Sequence, residues 1–208
     1  NFSTDFKLKG KLFTDLTPQY NTLTGGGLIR IAQGKINNLE TLEKIGKVTK
    51  MNNLTPVNIN DTKIKAEIVN GRVFFEPFSV KAGKTQMVMG GSSGFDNSID
   101  YEVDMEIHSG EMGQNAMSAL SGFTGQNLSG SNINIDLLIS GTHQDPKVKV
   151  KNVSAGGVQD AVKNKITDEV DKAKEEARQK AEEAKRKARQ EAERRKQEAE
   201  RKARQEAQ

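Results

Sequence analysis

The chain has 208 residues, 34% hydrophobic and 29% charged, with no cysteine. That excludes disulfides, thiolate metal sites and a cysteine nucleophile, and no run of about 18 apolar residues is present to cross a membrane as a helix. Residues 1–151 hold 16 Lys/Arg against 15 Asp/Glu and residues 152–208 hold 16 against 13, so the net +4 has no clustered basic face of the kind that binds nucleic acid.

Phe6, Leu8, Gly10 and Leu12 alternate with lysines at the start, which is strand period. Thr17–Thr24 reads as a connection. The glycines Gly25–Gly27 then lead into a short β run, Leu28–Ala32, and a second strand-like piece follows Gly34. Leu39, Leu42, Ile45 and Val48 recur every three residues among Glu and Lys and predict one amphipathic helix. From Thr62 the period returns to two, with Ile64, Ala66 and Ile68. Asn70-Gly71 is a strong hairpin signal, because a type I′ turn needs two residues at positive φ. Val73–Val80 forms the return strand, and Pro77 in it marks an edge or a bulge. Thr85–Met89 predicts a further strand that ends in a loop, "GGSSGFDNS".

The clearest strand is "IDYEVDMEIH", with Ile99, Tyr101, Val103, Met105 and Ile107 on one face and Asp100, Glu102, Asp104, Glu106 and His108 on the other. A Gly/Ser-rich stretch with helix-spaced Met112, Met117 and Leu120 follows. "NINIDLLIS" then places Ile133, Ile135, Leu137 and Ile139 on one face, and "PKVKVK" closes the series. Hairpin-linked strands with one apolar face describe an antiparallel sheet. The expected class is mainly β (α+β): a curved open sheet or groove with one or two short covering helices.

From Val158 onward the chain is Ala, Glu, Lys, Arg and Gln almost throughout. Ala181, Ala192 and Ala203 are eleven apart, an almost straight stripe at about 3.67 residues per turn. Acids stand four residues before bases at Glu176/Lys180, Glu183/Lys187, Glu191/Arg195 and elsewhere, an order that stabilises a helix. The expected division is a β domain over 1–151, a linker over 152–157 and a long charged helix over 158–208. Three readings of that helix are open: a self-supporting single helix, a weak coiled coil along the alanines, or a surface for anionic partners. Its interleaved glutamates count against the last.

Chemistry finds little purchase. Gly34-Lys35 and Gly83-Lys84-Thr85 both miss the phosphate-loop pattern, and Gly25–Gly27 misses the dinucleotide pattern at Arg30. Carboxylates two apart on a strand lie about 6.5–7 Å apart, too far for neighbours to share a small cation unaided, so the acidic ladder reads as a solvated face. No nucleophile elbow surrounds any serine. No enzymatic activity, cofactor or metal is expected. The apolar face reads either as a sealed core or as a groove open to hydrocarbon. Its lipid-facing candidates are Met87, Met89, Ile99, Tyr101, Val103, Met105, Ile107, Ile133, Ile135, Leu137 and Ile139, the methionines suiting an irregular ligand.

Taken in order, "GGGLIRIAQGKINNLETLEKIGKVTKMNNL", "IKAEIVNGRVFFEPFSVKAGKTQMVMGGSSGFDNSIDYEVDMEI" and "INIDLLISGTHQDPKVKV" resemble the C-terminal region of the AsmA family, in the style of Bacteroidetes-type bacteria. The resemblance covers about residues 5–151. It implies a periplasmic β-rich body, anchored to the inner membrane by an N-terminal segment outside this chain, that carries phospholipid acyl chains toward the outer membrane. It brings no catalytic residues. The tail resembles TolA-type periplasmic helices, which implies an envelope protein partner or self-association. The alternative is a structural adaptor whose closed β module presents that arm.

Overall fold

The computed structural model describes residues 1–37, 39–51, 54–108, 110, 112–125, 132–155 and 159–206, without the side chains of 123, 159–161 and 202–206. Eight strands form one sheet: β1 (Phe2–Lys9), β2 (Thr24–Ile36), β3 (Val57–Val69), β4 (Arg72–Ala82), β5 (Thr85–Gly94), β6 (Ser98–His108), β7 (Asn132–Thr142) and β8 (Pro146–Ala155). Each pairs antiparallel with its sequence neighbours, so the order is 1 to 8 and the sheet stays open. Among the described residues three α-helices accompany it, besides a short 3-10 turn at Tyr20–Thr22: α1 (Glu40–Thr49) after β2, α2 (Gln114–Thr124) after β6, and α3 (Gln159–Glu206) at the end.

Local chemistry accounts for the joints. Asn70 and Gly71 take φ of 50° and 80° and turn β3 into β4, as the dipeptide predicts. The β4–β5 register shifts between Phe75 and Phe78, and Pro77, which has no N–H for the ladder, lies inside the shift. Lys50 ends α1 in a left-handed conformation, with the Met51 N–H bonded to the Gly46 carbonyl at 2.9 Å.

The sequence reading and the structure part in three places. Gly34 does not divide β2, which runs unbroken to Ile36 opposite Val57. The "GGSSG" run is strand: β5 continues to Gly94. Gly91, at φ +145°, has no room for a Cβ, which would lie 2.2 Å from the Asp100 carbonyl oxygen. And β8 reaches Ala155, because Val153 is buried opposite Ile135, so residues 152–155 belong to the sheet and not to a linker.

The sheet is strongly curled. α1 directly follows β2, yet its Lys44 bonds Asp145 in the β7–β8 turn at 2.9 Å. In a flat sheet the end of β2 and that turn would be about 26 Å apart sideways and about 33 Å apart lengthwise. Four extended residues and one helical turn reach only about 20 Å, with a lysine side chain beyond them. Twist summed over eight strands closes the gap. The concave face that results is the apolar one, and α1 and α2 lie against β8 on that side.

Candidate functional site

Register partners show how the apolar face is composed. One row runs Phe6, Gly27, Ala66, Phe75, Gly91, Tyr101, Ile139, Val148 across all eight strands. Small residues stand among the aromatic ones along it, which suits the inside of a curl, where side chains converge. Phe75 and Tyr101 stack with ring centroids 6.3 Å apart. The Tyr101 hydroxyl lies 2.6 Å from Ser93 Oγ, and burial pushes its pKa above the ordinary range.

Every candidate from the sequence lies on this face, but most are closed to a ligand. Met87, Ile99, Val103, Met105, Ile107, Ile133, Ile135, Leu137 and Ile139 are buried in one cluster with Leu42 and Ile45 of α1, Leu54, and Leu120 of α2. Met89 and Tyr101 are half-buried at its margin. Over β5–β8 the sealed-core arrangement therefore holds, and the groove reading of those nine residues is corrected accordingly. The physical reason is plain: α1 and α2 each bring an apolar stripe that the sheet face is shaped to cover.

The face continues past that cluster. Ile64, Ala66 and Ile68 are buried on β3, and Phe6, Ile29, Ile31, Val73 and Phe75 are half-buried around them. At the β1 edge Phe2 is 77% exposed and Leu8 59%. The Ile64–Ile68 alternation was visible in the sequence; its continuity with β6 and β7 required the register of five strands, which no single strand carries.

The opposite face is mixed. Val69, Phe74 and Val88 meet Ile166 and Val170 of α3 in a second, smaller cluster. Ion pairs surround it: Lys165 with Asp136 at 2.5 Å, Lys151 with Glu102 at 2.6 Å, Lys174 with Glu67 at 3.3 Å, and Arg178 with Glu67. The acidic ladder is thus not a uniformly solvated face. Asp104 is buried between β5 and β7, and among the described residues its Oδ2 and Asn134 Oδ1 have no hydrogen-bond partner. Burial above all, then the hydrogen bond and charge of Asp136, push its carboxyl up to about 7. Beyond Ala181 the described side chains of α3 are exposed.

Among the described residues no cluster of three His, Asp or Glu side chains is placed to hold a metal ion, and no helix is long and apolar enough to cross a membrane. At the turn end of the sheet a groove of about 1100 Å³ lies between α3 and the hairpin tips, lined among others by Lys9, Lys11, Arg72, Phe95, Lys180 and Lys185. No protein-family model, curated protein or solved structure matches the chain.

Proposed function

We propose that this chain is a non-enzymatic lipid-handling module of AsmA type, and that phospholipid acyl chains lie against the part of the concave face that no helix caps. The observation that carries this reading is the apolar surface left at the β1–β4 side by the half-buried Phe6, Ile29, Ile31, Val73 and Phe75 and the exposed Phe2 and Leu8. An acyl chain on that surface continues the hydrocarbon environment already provided by β5–β8 and its helices, and gains burial of roughly 25 cal/mol per Å² of apolar area removed from water. On this reading α1 and α2 plug one section of the trough, and the open section belongs to a longer apolar path in a periplasmic protein held at the inner membrane.

The test is lipid retention by the 208-residue chain, read by mass spectrometry of its extract. Copurifying phospholipid that is lost in an Ile29→Asn/Ile31→Asn variant, with the cooperative melt kept, is the expected result. Purification free of lipid from a lipid-rich source overturns the reading. Val103 and Ile135 are unsuitable probes, because they are core residues and polar substitution there destabilises the fold itself.

A second reading, the adaptor with a helical arm, is favoured by one observation: the far half of α3 projects with exposed side chains and its own ion pairs, Glu183–Lys187 at 2.7 Å and Glu191–Arg195 at 2.5 Å. Deleting residues 189–208 separates the two, since an adaptor loses its partner while a lipid carrier keeps its cargo. Deleting the whole helix would not, because Ile166 and Val170 are part of the fold.

A further inference from the structure

We infer that the β1–β2 loop is a membrane-docking tip that seats the turn end of the sheet on an anionic bilayer surface. Between Lys9 and Thr24 the chain makes a compact loop whose backbone is well satisfied. The Phe13 N–H donates to the Thr17 carbonyl at 2.8 Å, the Leu16 N–H to the Phe13 carbonyl at 3.0 Å, and the Gln19 N–H to the Lys11 carbonyl at 2.9 Å. The Asp15 carboxylate accepts from both the Thr17 N–H at 3.0 Å and its hydroxyl at 2.6 Å. A loop so fixed has few ways to hide side chains, yet it leaves Leu12, Phe13 and Leu16 at 55%, 54% and 76% exposure.

The charges next to it are a separate observation. The groove running from this loop to α3 is lined by Lys9, Lys11, Arg72, Lys180 and Lys185 against Asp96, with Glu182 paired to Lys185 at 2.9 Å. Elsewhere the chain mixes the two signs closely, so five cations to two acids at a single place is a local departure. These cations come from β1, the β1–β2 loop, β4 and α3, so folding rather than sequence gathers them.

Apolar side chains at a tip, with cations gathered at its base, match the boundary of a bilayer, where the former enter the acyl region and the latter meet phosphate. A protein partner fits less well. Three side chains on one tight loop fall well short of the roughly 800 Å² per partner that a stable complex buries, whereas shallow insertion plus charge attraction suffices for reversible membrane binding. This docking does not depend on the lipid-carrier reading: a module that carries no lipid can still bind a membrane this way.

The experiment is sedimentation of the 208-residue chain with vesicles of phosphatidylcholine, with and without phosphatidylglycerol. Because the chain has no tryptophan, Phe13→Trp supplies a single fluorophore at the tip. Binding to the phosphatidylglycerol vesicles, weakening with salt, and a blue shift of the indole emission of that variant on binding are expected. Leu12→Asp/Phe13→Asp should weaken that binding at least about tenfold, and Lys180→Glu/Lys185→Glu about tenfold, with unchanged melting curves in both. Absence of vesicle binding, equal binding to neutral and anionic vesicles, or undiminished binding by the loop variant each overturns the proposal. The first of these would point to a protein partner at the tip instead.

Discussion

Under α1 and α2 the sheet presents almost only Ile, Leu, Val and Met, and the two helices answer with Leu42, Ile45 and Leu120. Under α3 the other face offers Val69, Phe74 and Val88 to just two well-buried helix residues, and carboxylates and lysines form the surround. The difference follows from what each helix has to give. α1 and α2 contain branched apolar residues at helical spacing, whereas α3 is largely alanine and charge, and alanine removes little surface from water. A face closed by burial is inseparable from the fold. A face closed by a short apolar patch and ion pairs opens at lower cost, since each pair keeps one partner open to water: Lys165 is 47% and Glu67 36% exposed.

Removing volume from each side separates the two faces most clearly. Ile135 is fully buried at the centre of the first cluster, and Ile135→Ala should cost about 2–5 kcal/mol and lower the urea midpoint of the whole sheet in one transition. Ile166→Ala should fall at the low end of that range, about 2 kcal/mol, and show itself differently: amide exchange in residues 162–181 should quicken while β6 and β7 keep their protection. If the Ile166 variant lowers protection evenly through sheet and helix, the two faces are one cooperative unit and do not differ in how they open.

Much of this was legible in the sequence, for identifiable reasons. Period-two alternation marked β3, β6, β7 and β8, Asn70-Gly71 marked its hairpin, and the three-residue rhythm of Leu39, Leu42 and Ile45 marked α1. What escaped was set by contacts between distant segments. The "GGSSG" run is loop-like in composition but strand in place, because close approach of β6 at Gly91 needs glycine there. Nine of the lipid-facing candidates are capped, because alternation shows which side chains share a face and says nothing of what lies over it. Likewise Ile166, Val170 and Ala177 fit an alanine-rich solvated rod in sequence; only the sheet face opposite makes them a docking stripe.

Asp104 offers the finest test of the contrast, because it lies at the polar face yet behaves as an interior group. Burial, the hydrogen bond and charge of Asp136, and the charge of Glu106 raise its pKa, and Lys165 of α3 opposes them. Its ordinary value of 3.8 applies in the unfolded chain, against about 7 in the fold. Between these values the native state holds the extra proton, so stability due to this group is full below about pH 4, falls as pH rises to about 7, and is level above. Asp104→Asn keeps the shape and removes the charge. It should therefore raise stability by about 1–2 kcal/mol at pH 8 and by little at pH 4, as read from urea midpoints across that range. An equal gain at both ends would assign the effect to packing, and a wild-type curve flat from pH 4 to 7 would mean that Lys165, through its docking on Asp136, already neutralises the pair.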